Sequence, residues 1–146
     1  MLPMGNSMVL EAVNFINTPE ITENRIAACF LTGGGLVLKE HKKNTNRITY
    51  RTYQSPEFDR VFGLVVQNQL KTAGFEDDAA ESVKFTPLDC RKSVVLHYGS
   101  LIDITLGTFV LEGEKNALQY LYNAGMGSRN GFGFGLFDVF SQIEEI

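Results

Sequence analysis

The sequence predicts an α+β fold in which an antiparallel sheet carries two helices. Apolar residues recur at helical spacing along 58–70 and again along 117–124. Runs rich in β-branched and aromatic residues lie before, between and after those two segments. The order is therefore strand, helix, strand pair, helix, strand, with differently covered sheet faces, which is the ferredoxin-like (RRM-like) arrangement.

Ile26 to Leu31 reads as the first strand; Gly33-Gly34-Gly35 breaks it and Leu36 to Leu38 resumes it. Lys42 to Asn46 is a polar turn, and Ile48 to Tyr53 alternates as a strand. The first helix is marked by Ser55 as cap, Pro56 at its first position and acids at Glu57 and Asp59. Phe58, Val61, Phe62, Val65, Val66 and Leu70 form its apolar face, and Gly74 ends it. Val83 to Thr86 is a short strand, and Ser93 to Tyr98 and Leu101 to Leu111 flank a hairpin turn at Gly99-Ser100. The apolar phase is even at Ile102, Ile104 and Leu106 and odd at Phe109 and Leu111, which predicts a bulge at Gly107. Gly113 to Ala124 is the second helix, with Ala117, Leu118, Leu121 and Ala124 inward. Phe134 to Phe140 has apolar residues on both faces and is expected to be a central strand, with Phe134 and Phe140 in the core. Residues 1–25 show little periodicity and are set apart from a domain at 26–146.

A length of 146 residues with 44% apolar and 21% charged residues fits one globular domain and excludes a disordered chain. No secretory leader or membrane-length apolar run is evident, and no membrane partner is expected. Cys29 and Cys90 lack metal-ligand spacing and read as reduced core thiols of a cytoplasmic protein. The net charge of −4 argues against nucleic acid in its simplest form. The distribution tempers this: Lys39, Lys42, Lys43, Arg47 and Arg51 cluster, while acids concentrate at Glu76 to Asp78, Glu81 and Glu144-Glu145. The alternative for such a cluster is a solvated hairpin tip.

The most informative stretch is Gly125-Met126-Gly127-Ser128-Arg129-Asn130-Gly131-Phe132-Gly133-Phe134-Gly135. Glycines admit positive φ and close backbone approach, and successive free amides would form an anion cradle. Arg129 adds a cation, and Ser128 and Asn130 add hydrogen-bonding groups. The candidate RNA-contacting set is Gly125, Gly127, Ser128, Arg129, Asn130, Gly131, Gly133 and Gly135, with Phe132 as a candidate stacking residue. A plain helix-to-strand connection is the alternative. A dinucleotide fingerprint fails, because Asn130 replaces its third glycine and a helix, not a strand, enters the loop. An RRM-type single-stranded RNA-binding domain is a further alternative: Gly131-Phe132-Gly133-Phe134 with Phe137 overlaps its RNP1 pattern, against which RNP1 needs another helix and strand after it, where nine residues follow Phe137.

The spacing Gly125-x-Gly127, five residues, Gly133-x-Gly135, with Met126 and Phe134 inside the pairs and Arg129 between them, resembles the glycine-rich loop of the CRISPR-associated endoribonucleases of the RAMP superfamily that process CRISPR precursor RNA. Gly107 to Gly113 is similar to the same family, as is the stretch Leu31 to Lys71 with Asn68 and Lys71 near a helix end. The resemblance implies two ferredoxin-like halves in tandem, of which this sequence looks like the second. It also implies CRISPR repeat RNA as partner and metal-independent cleavage, in which a 2′-OH attacks the adjacent phosphate with a general base and acid assisting. The family's catalytic histidine lies in the first half, so none is carried over.

His41, beside Lys42 and Lys43, is the catalytic candidate; an exposed loop histidine is its bland alternative. His97 reads as a satisfied histidine on a sheet. Two histidines without clustered acids or cysteines make no metal site, and no cofactor is expected. The rival to an RNA-gripping half is a non-catalytic module that docks on CRISPR effector proteins or forms a homodimer through an exposed sheet.

Overall fold

In a computed structural model, residues 20–42 and 47–144 are described. The elements are β1 (Arg25–Phe30), β2 (Lys39–Lys42), β3 (Arg47–Tyr50), α1 (Phe58–Thr72), α2 (Asp77–Glu81), β4 (Lys84–His97), β5 (Ser100–Glu112), α3 (Lys115–Ala124) and β6 (Phe137–Gln142). Four strands form an antiparallel sheet in the order β4-β5-β1-β6. With the separate β2–β3 ribbon and the short α2 set aside, the chain runs β1-α1-β4-β5-α3-β6, which is the ferredoxin-like succession the sequence predicts.

One sheet face packs against α1 and α3. Val61, Val66 and Leu70 of α1 and Ala117, Leu118 and Leu121 of α3 are all buried there, because apolar residues three and four apart line one helical face. Phe109 is completely buried, with ring centroids 4.5 Å from Phe30, 4.8 Å from Phe85 and 5.5 Å from Phe137. A second cluster of Val37, Ile102, Ile104 and Phe134 is formed elsewhere, with Tyr50, Val95 and Leu106 packed against it. Leu36 exchanges both backbone hydrogen bonds with Thr105, at 2.8 and 3.1 Å, a single bridge to β5 in place of the resumed strand expected over Leu36 to Leu38.

These two clusters explain the phase change in β5. Phe109 and Leu111 serve the helix side, and Ile102 and Ile104 serve the second cluster. The bulge expected at Gly107 lies instead on the facing strand, where Leu88 is the extra residue between Pro87 (opposite Phe109) and Asp89 (opposite Thr108). Pro87 has no amide to donate, and β4 is an edge strand, where such a break is tolerated. Gly107 is needed for another reason: a Cβ there would overlap the Asp89 carbonyl oxygen.

Several boundaries differ from the sequence reading. The final strand starts at Phe137 and lies on the sheet edge, not in its centre, and Phe140 is 61% exposed. The segment from Phe134 looked two-faced because Phe134 belongs to the second cluster and Phe137 to the first. Lys84–His97 is one continuous strand, and the hairpin turn is Tyr98-Gly99, both with positive φ (47° and 77°), closing the pair His97–Ser100. α1 begins at Phe58; Ser55 Oγ accepts the Glu57 amide at 3.2 Å one step earlier. The short α2 was not expected, α3 starts at Lys115, and Ala124 is exposed. Cys29 and Cys90 are free and half-buried; burial pushes the Cys90 thiol up.

Residues 1–19, most of the segment set apart at the N-terminus, and 43–46, most of the polar turn, lie outside the described residues. Ile21 is buried, and Gln142 Oε1 accepts the Thr22 and Glu23 amides at 2.7 and 3.1 Å, so Ile21 to Glu23 are tied to the domain. No helix among the described residues is long and apolar enough to cross a membrane. Phe109→Ala should lower unfolding stability by about 3–5 kcal/mol in urea titrations, because its cavity opens between three other rings.

Candidate nucleic-acid interface

The glycine-rich loop leaves α3 and closes on itself over Met126, which has no exposed surface. The Met126 amide donates to Gly135 O at 3.0 Å, and the Gly135 amide to Gly35 O at 2.8 Å. A Cβ on Gly135 would overlap the Met126 carbonyl oxygen, and its φ is 84°. Glycine is therefore demanded by closure of the loop. From α1, Gln69 spans the loop with one amide group: Nε2 donates to Gly125 O at 2.8 Å, and Oε1 accepts the Gly127 amide at 3.0 Å. The Ser128 amide donates to Val37 O at 2.7 Å, and Ser128 Oγ accepts the Lys39 amide at 3.2 Å.

This accounting corrects the expected open cradle. The amides of Gly125, Met126, Gly127, Ser128, Phe132, Gly133 and Gly135 all donate within the protein. Gly125, Gly127 and Gly135 are buried and serve packing, whereas Gly131, Phe132 and Gly133 are exposed. Asn130 turns inward, and its Oδ1 is buried without a hydrogen-bond partner. The loop's outer surface is thus Ser128 to Gly133.

Arg129 occupies the left-handed region at φ 60°. Its guanidinium donates to Tyr50 Oη at 2.9 Å and lies 5.8 Å from the Tyr50 ring centroid. No carboxylate pairs with it among the described residues, so its charge is fixed in direction but not neutralised.

The basic cluster predicted around the ribbon is only partly a patch. Glu40 lies within it and binds Arg51 at 3.0 Å and Arg60 at 2.7 Å, while Arg60 also holds Glu57 at 2.7 Å. The hydrogen bond from Arg60, with Arg51 adding to it, holds the Glu40 carboxyl below its ordinary range. Arg51 is therefore neutralised. Lys39 and Arg47 are exposed on β2 and β3; the side chain of Lys42 and all of Lys43 are outside the described residues. Glu40 alternates with Lys39 and His41 along β2, which leaves those two facing the other way.

On that other side an open groove is lined by Lys39, His41, Leu64, Val65, Asn68 and Ser128. The fold thus joins the glycine loop, the ribbon and the end of α1, which the sequence could only place in separate segments. His41 faces this groove. His97 is elsewhere, packed among Tyr98, Phe132 and Phe134, and its Nε2 is buried without a hydrogen-bond partner, contrary to the satisfied histidine expected. Sequence reasoning missed Gln69 entirely, since nothing marks one glutamine among the polar residues of an amphipathic helix.

The family profile described as CRISPR associated protein Cas6, C-terminal, matches residues 16–139. The chain belongs to the Cas6 C-terminal family of CRISPR-associated proteins. Its fold is similar to that of a Cas6-related protein from Pyrococcus furiosus, with 18% identity, a TM-score of 0.66, and 90% of this chain and 52% of that one covered. It is also similar to a RAMP protein that binds different RNA substrates, with 16% identity, a TM-score of 0.71, and 86% and 52% covered. A third, a CRISPR associated protein Cas6, has 15% identity and a TM-score of 0.67, with 86% and 52% covered. At these identities the likeness is one of fold, and the chain spans about half the length of each. No match to a curated protein was found by sequence comparison.

Two expectations test this geometry. Gly135→Ala should cost more than about 2 kcal/mol, whereas Gly131→Ala, with nothing within 4 Å of the added methyl, should stay within about 0.5 kcal/mol by thermal unfolding. Glu40→Gln should lower Tm at pH 7. The Glu40 carboxyl is depressed in the folded state, so its stabilisation is fully present above its unfolded pKa and fades as pH falls through the folded one. The Tm difference between wild type and variant should therefore close on acidification.

Proposed function

We propose that this chain binds CRISPR repeat RNA and acts in precursor CRISPR RNA processing, as the RNA-gripping C-terminal half of a metal-independent endoribonuclease. The observation that carries the reading is the groove between ribbon, α1 and loop, where Lys39, His41, Asn68 and Ser128 meet beside the unneutralised Arg129. Cations and neutral hydrogen-bond donors along one groove suit a phosphate backbone. The family membership and the fold of its relatives support it. Such a substrate places the protein in the cytoplasm.

The ground-state task of this half is to hold the strand. Lys39 and Arg129 contact phosphates, and Ser128 and Asn68 offer uncharged contacts. His41 places the one imidazole on the groove lining, so it is where proton transfer to or from a 2′-OH or 5′-oxygen would be sought in this chain. A second reading, a docking module for effector proteins or a second copy, draws on the aliphatic hairpin side chains Val94, Leu96 and Leu101, which are exposed.

Binding and cleavage of the repeat RNA from the same genome, in EDTA, separates these readings. Cleavage that disappears in His41→Ala would assign His41 to the chemistry, and binding without cleavage would assign a gripping half. No binding, with concentration-dependent sedimentation, would favour the docking module. Arg129→Gln keeps a donor for Tyr50 but removes the charge. It should weaken binding several-fold and reduce the slope of log affinity against log salt by about 0.7–0.9.

A further inference from the structure

The hairpin turn and the glycine loop together present an aromatic corner. Tyr98 is 79% exposed and Phe132 is 56% exposed, although both are large rings. Their centroids are 5.4 Å apart with planes at 73°. Beneath them His97 meets Tyr98 at 4.6 Å, Phe132 at 4.7 Å and the buried Phe134 at 5.4 Å, all edge to face. The corner is thus anchored on one side by a core residue and open on the other.

We infer that Tyr98 and Phe132 form a stacking site for one unpaired nucleobase of the bound RNA. This rests on the RNA-binding reading and adds to it a contact outside the groove, to a base and not to phosphate. Two rings at a wide angle let a flat base lie on one and set its edge against the other, the arrangement aromatic quadrupoles favour. Both rings are held in place. Tyr98 sits in a two-residue turn at φ 47°, and Phe132 in a loop turn whose amide bonds Arg129 O at 3.1 Å. Arg129 is three residues from Phe132 in the same loop, and no carboxylate among the described residues pairs with it, so the strand that carries the base would pass a loop with an unclaimed cation.

The chemistry favours a base over an apolar protein face. Strand alternation puts His97 on the opposite side of the hairpin from Val94 and Leu96, so the aromatic corner is not continuous with the aliphatic patch. The unmet His97 Nε2 is a further sign that the cluster is not a finished piece of core, where such atoms find partners. A nucleobase carries donors and acceptors at its rim; an aliphatic face carries none.

The test uses a single-stranded RNA of the repeat sequence carrying 2-aminopurine at successive positions, with the same RNA annealed to its complement as a paired control. Wild type should quench one position strongly in the single strand and none in the duplex. Tyr98→Asn, a side chain that tolerates the left-handed turn, and Phe132→Leu, which keeps apolar contact with His97, should each abolish that quench. Each should also weaken binding between roughly fivefold and a hundredfold. The salt slope should stay at its wild-type value, because stacking releases no counterions. Unchanged thermal unfolding would show that both variants fold. Wild-type affinity and quench in both variants would overturn the site while leaving RNA binding intact. Loss of a dimer in sedimentation, with RNA binding unchanged, would overturn it in favour of a protein interface. Wild type that binds no RNA would overturn the functional reading, and this site with it.

Discussion

The backbone has to close over Met126. That side chain is fully buried at the end of α3, and the chain turns back across it so that Met126 and Gly135 share a hydrogen bond of 3.0 Å. The closure leaves no room for a Cβ at Gly135 and draws the loop against Gly35 and Val37. Everything offered to solvent by Ser128 to Gly133 is placed by this contact and by the Gln69 amide that bridges Gly125 and Gly127. The interface is built from the inside outward: hidden glycines set the path, and a few exposed side chains use it.

This reverses the usual inference from a glycine-rich loop. Free amides were the expected feature, yet seven of the loop's amides are already satisfied within the protein. Burying an unpaired amide costs as much as a lost hydrogen bond, so a loop packed this tightly consumes its own donors. Charge and shape must then come from side chains: Arg129 steered by Tyr50, and Lys39 and His41 brought alongside by the ribbon.

What was legible in the sequence follows from what periodicity encodes. The faces of α1 and α3 were readable because each packs on one side, and the change of phase at Gly107 was a true signal. Its cause was not readable. A strand that serves two clusters on opposite faces and a strand with a bulge produce the same pattern of apolar residues. The edge position of β6 was hidden in the same way, since Phe134 and Phe137 are buried in different clusters while Phe140 faces out. At the site, Arg129 and Ser128 were visible as types within a motif. Glu40 stood in plain view inside the basic run, but its neutralising role depends on Arg60, twenty residues away on a helix.

The Glu40 network bears on how an acidic chain would hold the anionic partner proposed for it. Glu40 occupies Arg51 and Arg60, so those two cations contribute little to the field felt by a ligand. The cations left without a carboxylate among the described residues include Lys39 on the groove and Arg129 beside it. Net charge is thus a poor guide here, because it sums pairs that cancel locally with charges that do not. A phosphate backbone responds to charges within about a Debye length, roughly 10 Å at 0.1 M salt. Within that distance of the groove the balance is set by which cations the carboxylates have already claimed, and Glu40 claims Arg51 and Arg60.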